Sequence, residues 1–340
     1  MGLSEEEHAP MNGRADQPLV SVVTPVHNGA EYLAECIESV LNQTYANWEY
    51  VISDNCSTDG SLEIARGYEA RDPRIRVVAE DVFVDQLASS NRSLRTISPE
   101  SKHTKVLHAD DWLFPECLER MVGVAERDPN VGIVGSYRLE ETRVTLDGIP
   151  PSVSIIPGRE LGRSTLIGSP YPYVLGSPSS LLIRSDLVRE RDPFYDPDFP
   201  FEKGYSFTED QDVCCELFRT SDFGFVHQVL TFTRRPEGAP FLAYVRYGAY
   251  LPERINLLLA HGPAFLTKTE YQRALAVLIA QYNFFLLTNV RRLSTPEIRA
   301  YHRAALKRLL HVLDTRDVLA GAGIQLQRMR KARKLRTGRD

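Results

Sequence analysis

From Leu19 onward, runs of apolar β-branched residues alternate with segments whose apolar positions recur every three or four residues. Leu19–Thr24 reads LVSVVT, a pattern that predicts a strand covered on both faces. Leu33, Cys36, Ile37, Val40 and Leu41 follow at helical spacing and predict a helix with one buried stripe. Trp48–Ser53 predicts a second strand, after which Ser57, Thr58 and Asp59 offer N-caps to a helix through Leu62, Ala65 and Tyr68. Ile75–Val78 and Lys105–Ala109 predict short strands on either side of a helix at Gln86–Thr96. Pro115 opens a helix with Leu118, Met121, Val122 and Ala125 on one face, and Val131–Gly135 predicts another strand. This rhythm is that of an α/β protein with a mostly parallel sheet flanked by helices, whose ligands gather at the carboxyl ends of strands.

After Val144 the rhythm breaks. Residues 147–205 are rich in Pro, Gly, Ser and Tyr, with one strand expected at Ser180–Ile183, and such loops suit substrate shaping. From about Pro240 a C-terminal helical extension is expected. Ser294 and Glu297 have capping-box spacing there, and Ile298, His302, Ala305, Leu309 and Leu313 form a stripe. The uncharged run Ala274–Val290 is shorter than the roughly 20 residues of a membrane span, so it reads as a buried helix. The expected organisation is a disordered leader at 1–17, a catalytic domain at 18–240, a helical region at 241–327 and a basic tail at 328–340.

Composition narrows the function. A net charge of −5 over 340 residues argues against a nucleic-acid binder. The charge is uneven, with about +10 in residues 291–340 and −15 in the remainder. Seven basic residues and no acid lie between Arg328 and Arg339, so the tail is either solvated or attracted to an anionic membrane surface. Five cysteines without CxxC or zinc-like spacing point to a reducing, cytoplasmic compartment, with peripheral attachment to the inner membrane face as an extension of that reading.

Three acidic clusters stand at strand ends or helix starts. Asp54-Asn55-Cys56-Ser57-Thr58-Asp59 is either a capping turn or a set of contacts to a base and ribose. His108-Ala109-Asp110-Asp111-Trp112 is either a helix cap or a site for a divalent cation on a pyrophosphate. Thr208-Glu209-Asp210-Gln211-Asp212 either complements a helix N-terminus or supplies a general base. Trp112 either packs in the core or stacks on a sugar.

Taken in order, PLVSVVTPVHNGAEYLAECIESVLNQTY, ISDNCSTDGS, LHADDWLFPECLERM and FTEDQDVCCELF resemble the family 2 inverting glycosyltransferases of GT-A fold, over roughly residues 18–235. The resemblance implies that Pro25, Val26 and His27 line the nucleotide base, His27 standing where many relatives have tyrosine. It places Asp54, Asn55 and Asn91 at the nucleotide as well. Asp110 matches the last Asp of the family's DxD metal motif, while His108 occupies the first position. Asp210 becomes the catalytic base with Glu209 beside it, and Asp212 competes for that role. The GSPSS segment at 176–180 matches an acceptor-side loop. A nucleotide diphosphate sugar, uridine-linked, is the implied donor, Mg²⁺ or Mn²⁺ the implied cofactor, and a saccharide or lipid-linked hydroxyl the implied acceptor, in polysaccharide or glycoconjugate synthesis. The alternative is a domain that binds a nucleotide sugar without turnover, for which His108 and Asn55 are the supporting departures.

Overall fold

The computed structural model describes residues 17–172, 174–199, 208–235 and 240–312. The leader expected at 1–17, Gln17 apart, and the basic tail expected at 328–340 lie outside the described residues, as does Leu313.

The first half lays down β1 (Val20–Val26), α1 (Ala30–Leu41), β2 (Trp48–Asp54), α2 (Ser61–Glu69), β3 (Ile75–Ala79), α3 (Gln86–Leu94) and β4 (His103–Val106). Next come β5 (Trp112–Leu113), α4 (Cys117–Ala125), β6 (Val131–Glu140), β7 (Arg143–Thr145), β8 (Ile155–Ile156) and α5 (Gly158–Ile167). Then follow β9 (Leu181–Arg184), α6 (Ser185–Arg189), α7 (Glu209–Leu217) and β10 (Asp222–Thr233). One sheet holds these strands in the order β3-β2-β1-β4-β9-β6-β10-β5, with β7 and β8 at its margins. β1 pairs in parallel with β2 and β4, and β2 with β3, whereas β9 runs antiparallel to both β4 and β6.

The reading of β1 as a strand covered on both faces holds. Val20, Val22 and Val26 join α1 and α4 in one apolar core, while Val23 joins the core on the opposite face with Leu94 and Ile133. Full burial of each such side chain is worth about 1.5–3 kcal/mol. Helix α4 starts at Cys117, two residues after Pro115, because Phe114 and Pro115 still serve the preceding turn: Phe114 donates its N–H to Leu230 O and accepts from Cys117 N.

The loop-rich stretch contains a helix that composition hides. Gly158 and Gly162 lie within α5 because each touches a neighbour where a Cβ would collide, Gly158 with backbone oxygens of Phe218 and Ser221, Gly162 with the Phe265 ring. Packing overrides their poor helix propensity.

The extension is helical: α8 (Pro240–Tyr247), α9 (Tyr250–Phe265), α10 (Lys268–Thr288) and α11 (Pro296–Val312). Ile298, His302, Ala305 and Leu309 are buried as their spacing predicts. Ser294 instead closes a short 3-10 turn on Arg291 O, and the capping box forms at Thr267–Glu270, opening α10. Most of the uncharged run lies in α10, with Leu278, Ile279 and Tyr282 buried and Phe284 and Leu287 exposed. No described helix is long and apolar enough to cross a membrane. Residues of α9 and α10, among them Leu251, Ile255, Leu258 and Leu278, share one core with Phe223 and Phe225 of β10.

Candidate active site

The chain runs outward from β1 to β3 and then returns to place β4 on the other side of β1. At that switch the carboxyl ends of the strands open into a cleft of about 560 Å³.

One wall is built by the end of β1 and the turns beside it. Pro25, Val26 and His27 line the cleft. The His27 Nδ1 lies 2.8 Å from Asn55 O, and its ring sits 4.7 Å from that of Phe83. Asn55 lines the cleft too, and its amide grips the backbone of Val84 at both ends: Nδ2 donates to Val84 O (2.8 Å) and Oδ1 accepts from Val84 N (3.0 Å). A carboxylate could do only half of this, which gives a physical reason for an amide at this position. Asp54 is buried behind it; Oδ2 accepts from Ser57 N, whereas Oδ1 has no hydrogen-bond partner.

The residues expected to cap the second helix do more than cap. Ser57 Oγ accepts from Asn28 N (2.9 Å), Asp59 Oδ2 accepts from Ala30 N (2.9 Å), and Thr58 N donates to Asn28 Oδ1 (2.8 Å). Gly60, in the left-handed region, is the N-cap of α2, although Asp59 Oδ1 still accepts from Ser61 N. The turn thus ties β2 to the start of α1.

The cleft floor carries the second cluster. One ligand atom from each of His108, Asp110 and Asp111 lies within 4.8 Å of the others, the one such group among the described residues. Asp111, which the sequence marks only as a member of this acidic cluster, is 2% exposed. Burial raises its pKa and nearby Asp110 adds to this, while His108 opposes it. It accepts from Arg234 N (3.1 Å), and Arg234 Nε donates to Asp110 O (3.2 Å). Arg234 also pairs with Glu35 and lies 4.2 Å over the Tyr32 ring, closing the cleft at the end of β10. Trp112 stacks on Phe232 with ring centroids 3.6 Å apart, a packed aromatic rather than a free platform.

The third cluster stands behind the wall. Asp210 and Glu209, at the start of α7, do not line the cleft. Asp210 is partly buried, and its pKa is pushed up to about 8, first by burial and then by the Glu209 charge, with the Tyr195 hydroxyl bond opposing. Asn91 is not at the cleft surface either: it donates to Tyr195 O and accepts from Tyr195 N, both at 2.8 Å. Asp210 is therefore linked through Tyr195 and Asn91 to α3, whose Ser89 and Ser90 do face the cleft. Asp212 points elsewhere. Its Oδ1 lies 2.7 Å from His261 Nε2 on α9, and its Oδ2 accepts from Arg191 at 3.4 Å.

The structure thus brings Pro25, Val26, His27, Asn55 and Asp110 to one cleft, with Asp54 against its wall, and sets Asn91, Glu209 and Asp210 one layer back. Phe83 and Arg234 are not marked by the sequence, and Asp111 is marked only within the acidic cluster. Asp111 had a visible signal in its pairing with Asp110; the other two meet the cleft only through tertiary contacts.

Residues 21–173 match the family described as Glycosyl transferase family 2. Among curated proteins, an uncharacterized protein of Sinorhizobium fredii, y4gI, is 31% identical over 227 residues, covering 65% of this chain and 23% of that protein. TuaG of Bacillus subtilis, a candidate teichuronic acid biosynthesis glycosyltransferase, is 29% identical over 153 residues, covering 45% of this chain and 60% of its own. The chain thus spans less than two thirds of the length of either relative. The crystal structure of S. aureus TarS 1–349 with UDP superposes with a TM-score of 0.59 at 16% identity, over 94% of this chain and 92% of TarS 1–349. Its complex with UDP-GlcNAc gives 0.58, also at 16% identity, over 95% and 92%. The shared architecture is the GT-A fold. With a family match over residues 21–173, less than half of the chain, and that architecture over nearly its whole length, this chain is similar to the family 2 glycosyltransferases.

Proposed function

We propose that this chain is an inverting glycosyltransferase that moves a sugar from a nucleoside diphosphate sugar to an acceptor hydroxyl by single displacement. The observation that carries this reading is the meeting, on one cleft, of an aromatic-lined nucleoside wall and the three-ligand cluster His108, Asp110 and Asp111. Two carboxylates and an imidazole at this spacing fit one divalent cation, Mg²⁺ or Mn²⁺. Such an ion supplies Lewis-acid neutralisation of the charge that a leaving diphosphate gains.

This chain's own groups do the rest. His27 and Phe83, in contact with each other, present one aromatic surface to the base, and the partnerless Asp54 Oδ1 accepts a hydrogen bond from the nucleoside. Arg234 holds Asp110 and Asp111 in place through its side chain and backbone. Asp210, one layer behind the cleft and linked to it through Tyr195 and Asn91, is the carboxylate proposed to take the proton of the attacking hydroxyl; its raised pKa makes its ionised form a stronger base than an ordinary carboxylate. Asp212 is not the base, since His261 and Arg191 occupy its carboxylate.

Uridine is the proposed base and UDP-GlcNAc the first donor to try, because the structural neighbour TarS was crystallised with both UDP and UDP-GlcNAc. The relative with a teichuronic acid description favours a saccharide acceptor in cell-surface polysaccharide synthesis. Cytoplasmic residence, with the basic segment at 328–340 touching an anionic membrane face, belongs to the same proposal. The test is release of nucleoside diphosphate and sugar transfer from a panel of nucleotide sugars with Mn²⁺. Tight binding with no turnover on any acceptor would instead favour a sugar-nucleotide-binding module.

A further inference from the structure

Lys105 is the unexplained charge of this fold. It sits in β4, opposite Val22 of β1, and is completely buried. Burial lowers its pKa, and Cys117 and Asp111 oppose that shift. Among the described residues no carboxylate forms an ion pair with it. A buried ammonium costs several kcal/mol unless it is hydrogen-bonded, so an apolar residue would serve a mere strand better. Its Nζ donates to Ser179 O at 2.7 Å and approaches Met121 Sδ at 3.7 Å.

Ser179 is the middle residue of a short 3-10 turn, Pro178–Ser180, and is itself fully buried. Ser180 N donates to Ser177 O (2.8 Å), which closes the turn, and Ser177 lines the cleft. The Ser179 hydroxyl accepts from His108 N at 3.1 Å and is hydrogen-bonded to the Asp111 carboxylate. One residue therefore takes hold of the Lys105 ammonium with its carbonyl and of two members of the acidic cluster with its side chain. Removing the ammonium leaves Ser179 O without this donor in a dry interior and frees the turn to shift.

We propose that Lys105 is a positioning residue for the cation-binding cluster, acting through the Ser177–Ser180 turn to fix His108 and Asp111. This rests on the reading of His108, Asp110 and Asp111 as a divalent-cation site, but not on sugar transfer. Groups that orient metal ligands typically contribute about 10–100-fold in affinity, and a loss in that range is expected here.

The experiment titrates Mn²⁺ into the full chain in the presence of UDP, read by electron paramagnetic resonance, for the unaltered protein, Lys105→Met, Ser179→Ala and the double variant. Lys105→Met, near-isosteric without the charge, is expected to raise the Mn²⁺ dissociation constant at least 10-fold. If Lys105 acts through Ser179, the double variant binds no more weakly than the weaker single variant. Lys105→Met that melts like the parent and binds Mn²⁺ equally well overturns the proposal, as does a double variant whose losses multiply. Should Lys105→Met fail to fold, Ser179→Ala keeps the ammonium and its carbonyl acceptor. Unchanged Mn²⁺ affinity in that variant overturns the proposal, and a 10-fold loss supports it. A parent protein that binds no Mn²⁺ overturns both this and the cation site, whereas one that binds Mn²⁺ yet transfers no sugar from any donor refutes only the proposed function.

Discussion

Asp210, the proposed base, carries a cost in stability. Its folded pKa of about 8 lies above the ordinary carboxylate range, so the folded protein holds a proton that the unfolded chain has released. Stability therefore falls as pH rises from about 4 to about 8, and the loss is complete above that. Asp210→Asn is expected to abolish transfer, to leave UDP affinity within about twofold, and to raise the melting temperature at pH 8 but not at pH 4. In the unaltered enzyme, kcat/KM should climb with pH up to about 8, and a flat profile from pH 6 to 9 would remove Asp210 from the base role. Asp110→Ala should erase the Mn²⁺ dependence of nucleotide binding; binding that stays metal-dependent would reassign the ligand. Asn55 tests a different point. Asn55→Asp sets a carboxylate oxygen against Val84 O, so about 1–3 kcal/mol of stability should go, and UDP should bind more weakly as the Phe83 loop loosens. Equal melting and equal affinity would show that the clasp is dispensable.

At the scale of elements, sequence periodicity reports what a strand or helix buries, and it served well wherever burial alone decides. Val20, Val22 and Val23, or Leu118, Met121 and Val122, announce their faces because nothing but apolar packing selects them. It failed at α5, where glycines are required by the backbone of Phe218 and Ser221 and by the Phe265 ring, contacts that no local pattern records. The site divides the same way. Asp110 is legible because a pair of acids after a strand is unusual, and His27 through its place at the end of β1. Phe83 and Arg234 are not, since one arrives on a loop held by Asn55 and the other from a strand end 124 residues away from Asp110. Asn91 illustrates a subtler gap: a polar residue on a helix next to the cleft can face inward and hold backbone. The α5–α9 contact offers a sign test. Glycine to alanine within a helix ordinarily stabilises by about 1 kcal/mol. Gly162→Ala should instead destabilise by about 1–3 kcal/mol, because the new methyl group would come within 2.4 Å of the Phe265 ring. A rise in melting temperature would show that the ring yields freely.

Over the whole molecule, the helical extension is not a separate folding unit. Leu251, Ile255, Leu258 and Leu278 share a core with Ile133, Phe223 and Phe225 of the sheet. Calorimetry should therefore show one cooperative transition, and a chain ending at Arg235 should be insoluble; a soluble, UDP-binding fragment would contradict this. The buried Asp212–His261 contact carries this unity to the site, because it fastens the helix bearing Asp210 to α9. Anyone redesigning acceptor preference inherits that coupling. Grafting foreign loops that spare Tyr195 would leave the aim of the proposed base unchanged, whereas exchanging the C-terminal helices without their histidine would turn it. A working chimera has to cross over after α9, not before it.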